Sequence, residues 1–283
     1  MPYQPVGTAG EIRGGESAMW DVSVVILNWN SEDFLLSCLA SLERQSAAIK
    51  KEIIVIDNGS RHKPREICAG VRHCRLIENE TNRGVAPARN QGIREAGGRY
   101  IMILDVDTVL ADNALAALLR YMEERPHVGI AGPKLVFPDG DLQLSCRLFP
   151  TVISKISRRL PVAPRFLRDE LLADWDHSTS RPVGYVIGAC QLIRREVFQA
   201  AGLLDEKIFY GPEDVDFCLR AWKAGFEVHY VPGATVSHYE QRITKRLFTR
   251  ITWLHICGLA YYFRKHRYLL RRPSFTSKEG VAI

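Results

Sequence analysis

The sequence predicts an α/β protein with a mostly parallel central sheet covered by helices on both faces. Three observations carry this. Short apolar runs, VSVVIL at 22–27, EIIVID at 52–57 and YIMILD at 100–105, read as strands buried on both sides. Stretches with apolar residues at helical spacing alternate with such runs, the pattern of βα units feeding a parallel sheet. Each run also ends on a polar residue, Asn28, Asp57 or Asp105. In such sheets ligands bind beyond the carboxyl ends of the strands, so these three residues mark one candidate site.

Taken in order, the first strand is followed by SEDFLLSCLASLERQ, where Phe34, Leu35, Cys38, Leu39 and Leu42 form a helical stripe. Asn30 or Ser31 is its expected cap, and Glu32 and Asp33 suit the first turn. The second strand closes on the turn-forming NGS. RLIEN reads as a short third strand, and GVAPARNQGIREAGG as a helix stopped by Gly97 and Gly98. YIMILD is the fourth strand, and NALAALLRYMEE the next helix. After residue 132 the pattern changes: KLVFPDGDLQLS suggests a hairpin around Asp139-Gly140. Residues 151–182 show little periodicity and read as an irregular insertion. VGYVIGACQLIRREVF returns to strand and helix. GPEDVDFCLRAWKAGFEVHYVP gives a loop, a helix over 213–224 stopped by Gly225, and a strand at 228–231.

Composition excludes several classes. With 283 residues, 46% apolar and 25% charged, the chain has the make-up of a soluble globular protein. Seven cysteines without a CxxC pair favour buried free thiols in a reducing compartment over disulfides or zinc. Residues 1–20 lack the basic start and apolar run of a secretory signal and read as a loose tail. The apolar stretch at 251–263 is too short to span a bilayer, which takes about 20 residues. A cytoplasmic protein is expected. Net charge is +6, but 242–272 holds nine Lys or Arg and no acid. That basic, aromatic-rich segment suits an anionic membrane surface, or a terminal helix packed on the core with its basic face in water. Charge alone also suits nucleic acid. The acids gather at strand ends, however, and no nucleic-acid motif accompanies them, so no nucleic-acid partner is expected. The first strand lacks a GxGxxG loop, which argues against a dinucleotide cofactor.

Three segments bear chemistry. In LDVDT, Asp105 and Asp107 stand two apart, on one side of a strand end. Paired carboxylates repel, and a hard dication such as Mg²⁺ or Mn²⁺, sharing its shell with phosphates, relieves that. The other reading is a turn aspartate beside a helix cap. GPEDVDF places Glu213, Asp214 and Asp216 at a helix start, where acids serve the helix dipole or project into a cleft as a general base. TNRGVAPARNQGI offers backbone N–H groups at a glycine-led helix start, or a plain loop before a helix. His238 follows a strand. It is either structural or a third metal ligand, depending on whether its strand ends near Asp107.

VSVVILNWN, IDNGS, NRGVAPARNQGI, LDVDT and GPEDVDFCLRAWKAGFEV occur in this order and spacing. Over 22–238 the chain thereby resembles glycosyltransferase family 2, and within it the rhamnosyltransferase-like branch. The resemblance implies a GT-A fold, a Rossmann-like mostly parallel sheet with helices on both faces. It implies a transferase domain at 21–240, with a nucleotide-binding half at 21–132 and an acceptor-binding half at 133–240. Beyond it, the basic and aromatic pattern of 241–283 itself reads as an amphipathic helical C-terminal extension. Asn28, Asn30, Asp57, Asn82, Gly84 and Asn90 would line the donor, with Asp105 also reaching it. Asp105, Asp107 and His238 would hold Mg²⁺ or Mn²⁺. Asp214 would be the catalytic base, with Glu213 beside it. The implied reaction is inverting transfer from a nucleoside diphosphate sugar, dTDP-rhamnose first and UDP-hexoses second, to a saccharide or lipid-linked saccharide in cell-surface polysaccharide synthesis. Oligomeric state is left open. Val106 stands where the branch commonly has proline, and Arg83 where it often has an apolar residue, so the latter bears on donor preference.

Overall fold

The computed structural model of the chain describes residues 20–157, 164–239 and 250–283. The tail expected at 1–20 lies outside them up to residue 19, as does the start of the basic extension, 241–249.

The expected strands form and pair in parallel. β1 (Trp20–Asn28) lies between β2 (Lys51–Asp57) and β4 (Gly98–Asp105), and β3 (Cys74–Glu78) adds outside β2. β6 (Val128–Val136), β11 (Cys190–Arg194) and β12 (Glu227–His238) extend the sheet, and β5 (Thr108–Leu110) closes it, in the order β3-β2-β1-β4-β11-β6-β12-β5. β11 runs antiparallel to both β4 and β6, and β5 antiparallel to β12. This is the mixed, mostly parallel sheet the apolar runs call for.

Alternation along the strands feeds two cores. On β1, β2 and β4 the residues Val24, Ile26, Val55, Met102 and Leu104 face α1 (Glu32–Glu43) and α4 (Ala114–Glu123). Val25, Ile54, Ile56, Ile101 and Ile103 face α3 (Val85–Glu95), α7 (Arg195–Ala201) and α8 (Glu213–Lys223). Burying one such side chain contributes about 1.5–3 kcal/mol, which is why both faces must be covered.

Several expectations need correction. Ser31 takes the N-cap position of α1, as one of the two expected caps, but through its carbonyl, which accepts Phe34 and Leu35 N–H, while its Oγ donates to the Trp29 carbonyl; Asn30 sits at φ 50° with its Oδ1 accepting Arg61 N–H. Residues 151–182 are not irregular throughout, since α5 (Val152–Ser157) and α6 (Arg165–Glu170) form there. They are too short for periodicity to register. β6 passes residue 132 without a break, so the change of pattern expected there falls inside a strand. The hairpin turn at 139–140 is present, joining β6 to the two-residue β7 (Leu142–Gln143); of the other short elements, α2 (Arg65–Ala69) links β2 to β3, β8 (Cys146–Arg147) pairs with β10 (Tyr185–Val186), and β9 (Arg181–Pro182) adds to β12. β12 runs on to His238, past the expected end at 231, because bulges let it re-register on β6. All seven cysteines are free thiols, five of them buried.

Among the described residues of the C-terminal extension, α9 (Arg250–His266) is the helix. α9 packs on the core. Tyr262 is fully buried, Lys265 Nζ donates to Asp216 Oδ1 at 2.7 Å, and His266 Nε2 lies 2.8 Å from the same oxygen. Residues beyond it return to the body: Phe275 stacks on Trp222, and Lys278 N–H donates to Glu227.

Candidate active site

Parallel register brings the polar strand ends together. Asn28 pairs with Asp57 across β1 and β2, and Leu27 with Asp105 across β1 and β4. The chain then turns at Val106, and β5 pairs with the end of β12 so that Thr108 opposes His238. Tyr239 N–H donates to the Asp107 carbonyl, locking that register. This topology, rather than sequence proximity, sets His238 Nε2 at 3.5 Å from Asp107 Oδ1.

Asp105, Asp107 and His238 each offer one ligand atom, all within 4.8 Å of one another. Two carboxylate oxygens and an imidazole nitrogen are a donor set for Mn²⁺ or Mg²⁺ with open positions for phosphate. His238 Nδ1 stands 2.9 Å from Gln143 Oε1. With a bound ion, an Nδ1–H donated to that oxygen would leave Nε2, on the Asp107 side, as the ligand atom, the arrangement a ligating histidine needs. The residues therefore fit a divalent ion.

Beside this set lies a residue the sequence reading passed over. Arg89, on α3, is 3% exposed. Its Nη2 donates to Asp105 Oδ1 at 2.5 Å and to the Gly188 carbonyl at 2.9 Å, and its Nη1 to Glu213 Oε1 at 3.2 Å. One cation thus holds the first acid of LDVDT and the first acid of GPEDVDF together. The signal was available: an arginine on the apolar face of a helix requires buried acids opposite it. Gly188 serves both sides, because its N–H donates to Asp214 Oδ2 at 3.0 Å while its carbonyl takes Arg89. A Cβ there would come within 2.8 Å of Arg89 Nη1.

The acids of GPEDVDF diverge. Asp214 lines the cleft, its Oδ1 accepting Val215 N–H at 2.8 Å. Glu213 is buried against Arg89; burial, then the charge of Asp214, push its carboxyl up to about 7, with Arg89 opposing. Asp216 points away from the cleft and into α9. Burial alone would raise it, yet the His266 hydrogen bond and the Arg220 and Lys265 cations hold it well below the usual carboxylate range.

The cleft encloses about 840 Å³, lined by Arg89, Asp105, Asp214 and His238, and on the far side by Tyr210 and by His255 of α9. Tyr210 is pushed up to about 12 by burial and by the Glu213 and Asp105 charges, so its hydroxyl stays protonated. The contribution of α9 to this wall was also missed, since His255 lies in a stretch that reads as merely apolar.

The remaining expected donor residues form an adjoining cluster. Asp57 is fully buried and spent within the protein, its Oδ1 accepting Asn28 Nδ2 at 3.1 Å and its Oδ2 accepting Lys63 Nζ at 2.6 Å. Asn30 and Asn28 are tied to it through Ser60. Asn82 Oδ1 accepts Gly84 N–H at 2.9 Å and closes the turn before α3. Gly84 takes φ +91° there, with Phe209 where a side chain would stand. Asn90 does not join this cluster: its amide is used on Leu204, donating to the carbonyl at 2.9 Å and accepting the N–H at 3.1 Å.

Comparison with known proteins fits this geometry. Residues 23–202 match the family model for glycosyl transferase family 2. An N-acetylglucosaminyl-diphospho-decaprenol L-rhamnosyltransferase from Mycobacterium tuberculosis is 30% identical over 234 residues, 76% of this chain and 73% of that protein. The dTDP-rhamnosyl transferase RfbF of Shigella flexneri is 28% identical, over 77% of this chain and 69% of its own. Rhamnosyltransferase WbbL of Escherichia coli is 24% identical, over 89% and 96%. Among solved structures, GalNAc-T7 with UDP, GalNAc and Mn²⁺ superposes with a TM-score of 0.64 at 20% identity, covering 87% of this chain but 48% of that one. The mannosyltransferase PcManGT of Pyrobaculum calidifontis, with GDP-Man and Mn²⁺, gives 0.60 at 18% identity, covering 91% and 67%. Both share the GT-A fold. With its sheet, its strand-end acids and its sequence all in agreement, the chain belongs to glycosyltransferase family 2.

Proposed function

We propose that the chain transfers L-rhamnose, with inversion, from dTDP-rhamnose to a saccharide carried on a lipid diphosphate. The observation that carries this reading is the link Asp105–Arg89–Gly188–Asp214, which holds an acid of the LDVDT set and a cleft-facing carboxylate in one rigid frame. The acceptor hydroxyl attacks the anomeric carbon and gives its proton to Asp214, as the bond from that carbon to the diphosphate oxygen breaks. Gly188 and Val215 N–H groups fix the Asp214 carboxylate, so little orientation is lost at reaction. Asp105, Asp107 and His238 would hold Mg²⁺ or Mn²⁺, which when bound neutralises charge on the departing diphosphate as a Lewis acid. Arg89 keeps Asp105 in place for that task. The nucleoside sits over the β1 and β2 ends, beside the Asn28, Asn30 and Asp57 cluster and the Asn82–Gly84 turn. The sugar is chosen over a UDP-linked hexose because the relatives named above are rhamnosyltransferases. The lipid acceptor follows the decaprenol-linked substrate in the name of one of them. Such an acceptor sets the work at the cytoplasmic membrane surface. Among the described residues no helix is long and apolar enough to cross a membrane.

A thermal-shift screen of nucleoside diphosphate sugars with Mn²⁺ tests the donor. dTDP-rhamnose should give the largest rise in Tm, and the rise should vanish with chelator and in Asp105→Ala. A larger rise with a UDP-hexose would replace the sugar, and no rise with any donor would overturn the reading.

A further inference from the structure

Beside the cleft lies a second hollow, of about 1050 Å³, between α5, α9 and residues 267–270. Its walls are apolar: Ile156, Ile256, Leu259, Phe263, Leu269 and Leu270. Two of these lie well out in water, Ile156 at 67% and Leu270 at 66% exposure. Exposed apolar side chains gathered in one concavity mark a binding surface rather than ordinary surface scatter. The hollow also carries cations, Lys155, Arg264 and Arg267.

It is not separate from the active site. Lys155, Ile256 and Leu259 line both the hollow and the cleft that contains Asp214, and Arg147 lines the cleft. The protein therefore presents three chemistries in series: a carboxylate-bearing polar cleft, cations at the junction, and an apolar trough. A saccharide joined through diphosphate to a long hydrocarbon chain has the complementary three in the same order.

We infer that the trough seats the isoprenoid chain of the acceptor, with its diphosphate beside Lys155 and Arg147 and its saccharide at Asp214. This rests on the transferase reading above and gives the acceptor its seat. A flat contact with the bilayer is a poorer account of the same residues, because the trough is concave and opens into the cleft. Part of the charge on α9 is also turned inward, with Lys265 bound to Asp205 and Asp216.

The test is calorimetry on the full chain with dTDP and Mn²⁺ present, comparing farnesyl diphosphate with inorganic diphosphate. Farnesyl diphosphate should bind at least about tenfold more tightly, since burying even a few methylenes gives that much. Leu270→Asp and Ile156→Asp, both at exposed positions, should each abolish that advantage while leaving inorganic diphosphate and dTDP binding unchanged. Lys155→Gln should weaken the two diphosphates alike. Equal affinity for both diphosphates, or an advantage that survives both aspartate substitutions, would overturn the assignment. So would variants that lose flotation on anionic vesicles yet keep their farnesyl diphosphate affinity, for the trough would then be a membrane contact. Failure of dTDP to bind in the same titrations falls on the donor reading instead, and the comparison of the two diphosphates is then read without it.

Discussion

The two acidic segments of the site, LDVDT and GPEDVDF, look alike in sequence and behave differently in the fold. At a strand end, residues two apart project to the same side, and Asp105 and Asp107 converge with His238. In the first turn of a helix each residue is turned about 100° from the last, so Glu213, Asp214 and Asp216 enter three environments. Asp214 faces the cleft with its carboxylate on the Gly188 and Val215 N–H groups, Glu213 borders the same cleft but is buried against Arg89, and Asp216 fastens α9. A strand end concentrates charge for one ligand, whereas a helix start distributes it among catalysis, positioning and fastening.

The sharpest way to break that comparison is to neutralise the helix acids one at a time. Asp214→Asn should lower turnover by about 10²–10⁴-fold, the usual worth of a general base, with little change in Tm or in metal-dependent donor binding. Steady-state kinetics beside a donor titration would show it. Normal turnover would move the base elsewhere. The conservative change keeps the shape of the side chain, and its one oxygen can accept one of the two N–H groups, Gly188 or Val215, that Asp214 takes on separate oxygens.

Asp216→Ala should do the reverse. It leaves Arg220, Lys265 and His266 facing one another without their shared anion. Removing one partner from a buried ionic cluster costs about 3–5 kcal/mol, which chemical denaturation would register. α9 should also become the first site of limited proteolysis. Because His255 of α9 lines the cleft, some activity should be lost as well, but through the acceptor KM rather than through donor affinity. A variant as stable as the parent would mean that α9 is held by its apolar face alone.

These contrasts also show what the sequence could carry. The sheet was legible because runs such as VSVVIL and YIMILD satisfy the same physical demand wherever they occur, burial on both faces. The converging ends of β1, β2 and β4 followed from parallel register. What was hidden is what depends on long-range pairing. Arg89 reads as one polar residue in a helix until Asp105 and Glu213, 16 and 124 positions away, are brought to it. Asn90, in the same motif, was expected at the donor and instead fastens the loop at Leu204. His255 and the trough depend on where α9 docks. Its buried Tyr262 helps hold it there, and the acids that take its Lys265, Asp205 and Asp216, lie far from α9 in sequence and show in no local pattern.

The smallest expected effect isolates Glu213. Its carboxyl is raised from 4.5 to about 7 by burial first and by the Asp214 charge second. A group whose folded value lies above its unfolded one favours the fold fully at pH below the unfolded value. That contribution is then lost as pH rises toward the folded value. Glu213 should therefore cost stability progressively between about pH 4.5 and 7, and nothing further above. Glu213→Gln cannot ionise and keeps an oxygen for Arg89. The stability of the variant relative to the parent, from denaturant titrations at the two ends of this window, should therefore shift in the variant's favour by about 2–3 kcal/mol. Parallel stability curves would show that Arg89 already keeps Glu213 charged throughout. The two helix acids 213 and 214 would then differ only in where they point.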